Sequence, residues 1–409
     1  MRLCETKMNV LFISISGIPA LDGHSISLDL IRQFKENGHN MFVVGSNERR
    51  TGLETSLSNE CGCRVLRVKV GNNKNTNIIE KGISNLLLPY QYTAAIKKHF
   101  KGVKFDLVLY PTPPVTQVKT VQYIKKRDNA KTYLLLKDIF PQNAVDIGMM
   151  RKSGIKSVIY KMFRKKEEKL YKISDFIGCM SGANVDYLLK HNPYINPQKV
   201  HINPNSIEVL QSEISDEKKA EIKAQYNIPE NATTFIYGGN LGRPQGIPFV
   251  IECLRANAQK KDRFFIVCGK GTEYPKLQKF IQEEKPDNVL LINGLPKEEY
   301  EEFVKAFDVG LIFLDHRFTI PNFPSRLLSY MQNKMPTLAC TDPNTDIGTV
   351  ITEGGFGWWC ESNSVEDFCR TVDAVCASPF GEMGQKAYQF LLENYTSEKA
   401  YNTIIEKIQ

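Results

Sequence analysis

Two stretches in the second half of the chain combine glycine, a helix start and an arginine as a phosphate-bearing ligand requires. In FIYGGNLGRPQGIPFVIECL (235–254) an apolar strand ends in Gly238-Gly239-Asn240, a glycine-rich turn follows, and a helix begins near Gly246. Glycine lets backbone approach an anion closely, and a helix N-terminus offers free N–H groups. Arg243 adds a cation able to meet phosphate through two N–H groups. A tight strand–helix turn with a surface arginine has the same pattern. No G-x-G-x-x-G occurs there, which disfavours a dinucleotide. In FLDHRFTIPNFPSRLLSYMQNKMPTLACT (313–341) a loop with Asn322 and Phe323 between two prolines leads to Ser325 and Arg326. Ser325 is expected to cap the helix that follows. Arg326 in its first turn opposes the helix dipole, which points to an anionic ligand.

Smaller groups surround these two. The runs Cys268-Gly269-Lys270-Gly271 and Asn293-Gly294-Leu295-Pro296 follow strands and suit either turn chemistry or ligand approach. In the first half, the loop from Gly17 to Gly23-His24 follows the first strand. Asp138 ends a strand within LKDIFPQ, where cleft residues belong; capping the turn before Phe140-Pro141 is the alternative. TDPNTDIG (341–348) spaces Asp342, Asn344 and Asp346 like a calcium loop, but Pro343 interrupts it and the sixth position is not glycine. No metal is expected.

These residues need strands and helices to hold them. Apolar runs predict strands at 9–16, 41–46, 65–70, 106–111, 132–139 and 175–181, then at 233–239, 263–269, 289–294, 308–314 and 337–341. Amphipathic stretches alternate with them; in the first, Ile26, Leu30, Ile31 and Phe34 share a face and Asn37-Gly38 closes the helix. Alternation carried through twice predicts an α/β protein of two doubly wound, Rossmann-like domains facing a cleft, 1–200 and 201–395. The tail should form two helices broken at Thr396, the last of them, 396–409, packing back on the first domain.

The 409 residues are 42% hydrophobic and 24% charged, which describes an ordinary globular chain. The apolar start lacks a cleavage site and fits a strand better than a signal peptide. Ten scattered cysteines without a C-x-x-C pair are expected to be reduced, structural thiols. The net charge of +8 is uneven: residues 1–200 hold 32 Lys and Arg against 16 Asp and Glu, residues 201–409 hold 21 against 29. A basic half suits an anionic membrane, a phosphorylated acceptor or nucleic acid. Nucleic acid is disfavoured because aromatics are not interleaved with the cations. In RKSGIKSVIYKMFRKKEEKLYK (151–172), Ile155, Val158, Ile159, Met162, Phe163 and Leu170 form an apolar stripe expected to pack on the first sheet. Lys161, Arg164, Lys165 and Lys172 lie opposite it.

The runs KDIFPQNAVDIGM (137–149), GGNLGRPQG (238–246), IPNFPSRLLSYM (320–331) and TDPNTDIG resemble family 4 glycosyltransferases of the GT-B fold, over nearly the whole chain. They are similar to the subgroup of fucosaminyl and other amino-sugar transferases of O-antigen and capsule synthesis. The resemblance implies donor contacts from Gly17, Gly239, Asn240, Arg243, Gly269, Gly271, Asn293, Gly294, Asn322, Phe323, Ser325, Arg326 and Ser329. It implies catalytic roles for Asp138 and His24. Asn240 and Gln245 stand where the family has Arg and Lys, and Pro321 and Ser329 where it has two Glu. The diphosphate is therefore assigned to Arg243 and Arg326, with Ser325 and backbone amides, and a ribose hydroxyl to Ser329. The activity implied is retaining transfer of an N-acetylated amino or deoxyamino sugar from a UDP-sugar, without metal or other cofactor. The implied acceptor is a polyprenyl-diphosphate-linked glycan, reached from the cytoplasmic face of a bacterial plasma membrane. A UDP-sugar epimerase and a non-catalytic glycan-assembly subunit are the alternatives.

Overall fold

The structure is a computed structural model that describes residues 7–14, 17–73, 76, 78–113, 115–154, 157–210 and 213–409. The chain forms two units, Met1–Glu208 with Thr396–Gln409, and Val209–Tyr395.

The first unit contains strands β1 (Asn9–Ile13), β2 (Asn40–Glu48), β3 (Ser56–Glu60), β4 (Cys63–Val70), β5 (Leu107–Thr112), β6 (Lys131–Leu136), β7 (Phe176–Cys179) and β8 (Val200–Ile202). Its helices are α1 (Ile26–Glu36), α2 (Ile78–His99), α3 (Val118–Asp128), α4 (Gln142–Asp146), α5 (Ser157–Ile173) and α6 (Gly182–His191). The sheet order is β3-β4-β2-β1-β5-β6-β7-β8, parallel except for β3. The chain starts in the middle, winds to one edge and then to the other, so the switch point lies between β1 and β5. Ligands of open sheets bind beyond the carboxyl ends of the strands at such a point. Val10, Leu11, Phe12 and Ile13 are all buried, as a strand covered on both faces requires.

Two capping details set the helices of this unit. Ser25 caps α1 by accepting from Leu28 N, and Gly38 (φ 88°) ends it. The last helix of the chain, described below, packs on α1: Tyr401 Oη lies 2.9 Å from His39 Nε2 and its ring meets Phe34 edge-on at 4.8 Å.

The second unit runs α7 (Asp216–Gln225), β9 (Thr233–Asn240), α8 (Ile247–Asn257), β10 (Arg263–Lys270), α9 (Tyr274–Glu284), β11 (Val289–Ile292), α10 (Lys297–Phe303), β12 (Val309–Phe313) and α11 (Arg326–Gln332). It continues β13 (Thr337–Thr341), α12 (Ile347–Glu353), β14 (Gly357–Glu361), α13 (Val365–Cys376) and α14 (Gly381–Asn394). Its order, β11-β10-β9-β12-β13-β14, is parallel throughout, with the switch point between β9 and β12. Thr396 accepts from Lys399 N and starts α15 (Ser397–Ile408), which returns to the first unit.

Three expectations change. Strands β3, β8 and β14 are added at sheet edges. The apolar stripe of α5 does not pack on the sheet over its whole length. Leu170 is buried and Phe163 half-buried, but Val158, Ile159 and Met162 are 67%, 52% and 40% exposed; Ile155 lies outside the described residues. Arg164 is not a free surface cation either, because it bonds the buried Glu167 at 2.7 Å. Ser325 does not cap α11. Its backbone is already helical (φ −65°, ψ −12°), so its hydroxyl cannot reach back to the first turn.

Candidate active site

In the second unit, the ends of β9 and β10 touch through their backbones. A Cβ on Gly269 would lie 2.0 Å from Gly239 O, and one on Gly271 2.1 Å from Leu241 O. Leu241 N donates to Lys270 O at 2.8 Å, and Glu273 N to Leu241 O at 2.9 Å. Gly269 and Gly271 are therefore required by turn packing. Gly294 (φ 66°) closes the neighbouring turn beneath the Lys270 side chain, and Asn293 is exposed beside it.

Gly239 (φ 151°) serves a different need, because a Cβ there would lie 2.6 Å from Arg326 Nη2. Arg326 Nη2 thus abuts the end of β9. The guanidinium carbon faces the Tyr300 ring, 5.3 Å from the centroid. Tyr300 in turn excludes a side chain at 238: a Cβ there would lie 1.9 Å from its Oη. No carboxylate lies within ion-pair distance of Arg326 among the described residues. Burial opposes its charge, but the phenols of Tyr300, Tyr330 and Tyr237 outweigh that, and its pKa is raised. A cation over one aromatic face, with no ion-pair partner among the described residues, is fitted to an anionic ligand.

The remaining donor candidates vary in placement. Asn240 and Gln245, neutral where the resembling family has cations, bond each other at 3.3 Å, and Gln245 also accepts from Gly242 N at 3.1 Å. The turn thus satisfies itself. Arg243 is exposed on the short 3-10 turn before α8, and no ion pair holds it among the described residues. Ser329 is half-buried, one helical turn after Arg326, and Ser325 is exposed. Asn322 O accepts from Thr345 Oγ1, while Phe323 is buried against Tyr395 at 6.1 Å. Asp342 is fully buried, accepts from Asn344 N at 2.9 Å, and is pushed up to about 6 by burial.

The first unit carries its own group. Asp138 lies two residues beyond β6. Asn143 Nδ2 donates to its Oδ2 at 2.6 Å, and Oδ1 is buried without a partner. Burial pushes Asp138 up to about 6, against the Ile139 N–H and Asn143, which favour the charged form. The adjacent Lys137 is pushed by burial down to about 7. His24 sits at the start of α1 with Nδ1 3.4 Å from Asp29 Oδ1 and 3.6 Å from Glu208 Oε2. These three form the one close group of metal-ligand atoms among the described residues. Arg32 already fills it, with Nη1 bonded to Glu208 and 3.2 Å from His24. Gly17 approaches the next strand, where a Cβ would lie 3.3 Å from Ser46 O.

Gly239, Asn240, Gly269, Gly271, Gly294 and Arg326 thus converge at one edge of the second sheet. Gly17, His24 and Asp138 belong to the first unit. Tyr300 and Lys137 were not singled out by type or spacing. Tyr300 lies in an acidic helix (KEEYEEF) whose pattern does not mark it, and Lys137 is one lysine in a basic half.

Residues 218–390 match the family described as Glycosyl transferases group 1. The chain is 23% identical over 362 residues to the probable glycosyltransferase WbjE of Pseudomonas aeruginosa, covering 87% of this chain and 85% of that protein. It is 20% identical over 265 residues to the putative colanic acid biosynthesis glycosyl transferase WcaI of Escherichia coli (strain K12), covering 64% of each. Anabaena Alr3699/HepE in complex with UDP-glucose shares the fold, with a TM-score of 0.68, 12% identity, and coverage of 98% of this chain and 99% of that one. The fold is GT-B, with two Rossmann-like domains, and the chain is a glycosyltransferase.

Proposed function

We propose that the chain transfers an amino or deoxyamino sugar, with retention, from a UDP-sugar to a lipid-linked surface glycan. The observation that carries the donor half is Arg326, a cation against the end of β9 with the Tyr300 ring 5.3 Å from it and no ion-pair partner among the described residues. Charge that builds on the leaving diphosphate is stabilised by such a prepositioned group without reorganisation. Complexes of HepE with UDP-glucose support a uridine nucleotide as the donor. In this reading Asp138, partly protonated near pH 6, receives the proton of the acceptor hydroxyl. No metal step is invoked.

The lipid-linked acceptor is supported by a patch on the first unit. On α2, Ile83, Leu86, Leu87 and Tyr90 are each at least half exposed, and on α5 Val158, Ile159 and Met162 are exposed. Both helices pack on the turn Val115–Gln117. Lys119 Nζ lies 4.3 Å over the Tyr90 ring, and Lys161 and Lys165 are exposed on α5. Apolar side chains among lysines fit an anionic lipid surface. No described helix is long and apolar enough to cross a membrane. The relative WcaI is described as a putative glycosyl transferase of colanic acid biosynthesis.

Incubation with a panel of UDP-sugars tests the reading. Acceptor-dependent UDP release supports transfer. Isomer formation without release identifies an epimerase, and absence of any reaction across the panel identifies a non-catalytic subunit.

A further inference from the structure

The first unit contains a cavity of about 240 Å³ at the carboxyl ends of β5 and β6, lined also by the first turns of α1, by α15 and by residues 203–206. That is below the several hundred cubic ångströms typical of sites for drug-sized ligands, so it suits one ring rather than a nucleotide. Leu30 and Leu135 give it an apolar wall.

Two polar groups face that wall with unmet capacity. Asn203 is 1% exposed. Its Nδ2 donates to Tyr133 Oη at 2.7 Å, and Tyr133 Oη lies 2.7 Å from His201 Nε2. The contact with Tyr133 uses the amide nitrogen and leaves Asn203 Oδ1 buried with no partner. Lys137 has one acceptor near it, Pro204 O at 3.5 Å, and no carboxylate within ion-pair distance among the described residues. Among the described residues, Lys137 is the only ionisable side chain in the lining. A buried acceptor without a donor and a half-buried cation without an anion each gain when a ligand supplies the counterpart. A sugar ring supplies a hydroxyl donor for the amide and an apolar face for the leucines; an acidic substituent supplies the anion.

We propose that this cavity binds a single sugar ring bearing an acidic group, with the acid on Lys137 Nζ, a ring hydroxyl donating to Asn203 Oδ1, and the ring face on Leu30 and Leu135. That this sugar belongs to the acceptor rests on the transferase reading; the binding itself does not. The acid is a carboxylate or a phosphate ester, which share the charge Lys137 requires.

Titration calorimetry on the full chain tests this with glucuronate, glucose 6-phosphate, methyl glucoside and inorganic phosphate. At least one acidic sugar should bind about tenfold more tightly than methyl glucoside, the size of one charge-assisted contact. Binding of glucuronate alone assigns a uronic acid, and of glucose 6-phosphate alone a sugar phosphate; either supports the site. Lys137→Met should remove the preference for acid. Asn203→Ala should weaken acidic and neutral sugars alike, with UDP binding and the unfolding midpoint of each variant recorded as controls. Methyl glucoside binding as tightly as the acids, inorganic phosphate matching glucose 6-phosphate, or no heat from any at millimolar concentration overturns the proposal. Since UDP is titrated separately, loss of acidic-sugar binding with UDP binding intact rejects this site alone. The converse rejects the donor reading alone.

Discussion

Each unit holds a cation near the carboxyl edge of its sheet that makes no ion pair among the described residues, and the two are kept in opposite ways. Arg326 lies between a glycine backbone and an aromatic face, and its charge is permanent. Lys137 lies in an apolar cavity that drives it toward neutrality, down to about 7, next to Asp138, which is driven up to about 6. Fixed charge suits a ligand that is always anionic, such as a diphosphate. Groups titrating near neutrality suit proton transfer and a selective acceptor. Asp342 in the second unit is also raised to about 6; it is fully buried, its Oδ1 accepts from the Asn344 N–H and its Oδ2 is buried without a partner.

The largest effect expected from this contrast is on the chemistry of the first unit. Asp138→Asn should lower the turnover number by about 100-fold or more, the usual contribution of a positioned base. UDP affinity should not change. In the parent, the rate should climb as pH rises through about 6, because the base acts when ionised. The variant should lack that limb. The sign for stability is opposite: a raised acid pKa means that ionisation costs stability, so this group's contribution declines as pH rises toward 6. The unfolding midpoint of Asp138→Asn at pH 8 should therefore hold or rise. A variant with parental turnover and an unchanged pH profile would return Asp138 to the capping of its turn.

Arg326→Ala comes next. Loss of a charge-assisted contact is worth about 1.5–3 kcal/mol, roughly 10- to 150-fold in UDP affinity. Uridine should be unaffected, and the deficit should be similar from pH 7 to 9, since the guanidinium stays charged across that range. Equal losses for uridine and UDP, measured by calorimetry, would take the cation away from the diphosphate.

The two regions were not equally legible in the sequence. Central strands such as VLFI and FFIVC are apolar on both faces and read directly. The edge strands SLSNE, VHI and GWWCE are short or half-exposed, and no apolar run marks them. The sequence leads to donor contacts at Gly239, Gly269, Gly271 and Gly294; all four lie at or just beyond strand ends of the second sheet, yet Gly269 and Gly271 serve backbone packing, which spacing cannot distinguish from ligand approach. Arg326 was found by its conflict with the helix dipole. Lys137 carries no such signal, because an unpartnered burial is a property of the fold. Helical periodicity showed an apolar face on α5 without showing whether anything covers it, and Val158, Ile159 and Met162 are uncovered.

That exposed face adds a smaller effect confined to the first unit. Leu86→Ser with Leu87→Ser should weaken binding to vesicles containing anionic phospholipid by about tenfold, since each leucine is already half-buried and loses part of its apolar transfer energy. Apolar contacts persist in salt while lysine contacts are screened. The double variant should therefore float with vesicles at low salt and detach at moderate salt, where the parent remains bound. Lys161→Glu with Lys165→Glu should do the reverse, weakening low-salt binding most. Neither pair should alter UDP affinity, because both lie in the first unit. Equal flotation of parent and Leu86/Leu87 variant at every salt concentration would remove the apolar face from docking.

The smallest effect concerns what keeps the Arg326 charge in place. The Tyr300 ring sits 5.3 Å from the guanidinium carbon, and an aromatic face of this kind is worth about 0.5–1 kcal/mol toward a cation. Tyr300→Leu keeps an apolar side chain but removes the ring quadrupole, so UDP affinity should fall about threefold. Tyr300→Phe keeps the ring and should bind UDP like the parent. The hydroxyl needs its own variant because Arg326 favours its charged form and because it lies where a side chain at 238 would stand. In an Arg326→Ala background both changes at Tyr300 should be silent, since no cation remains to be held, and a double-mutant cycle measures that coupling directly. If Phe costs as much as Leu, the phenol oxygen rather than the ring positions the guanidinium. If Leu costs as much with Arg326 absent as present, Tyr300 acts on the β9 turn through Gly238 and not on the charge.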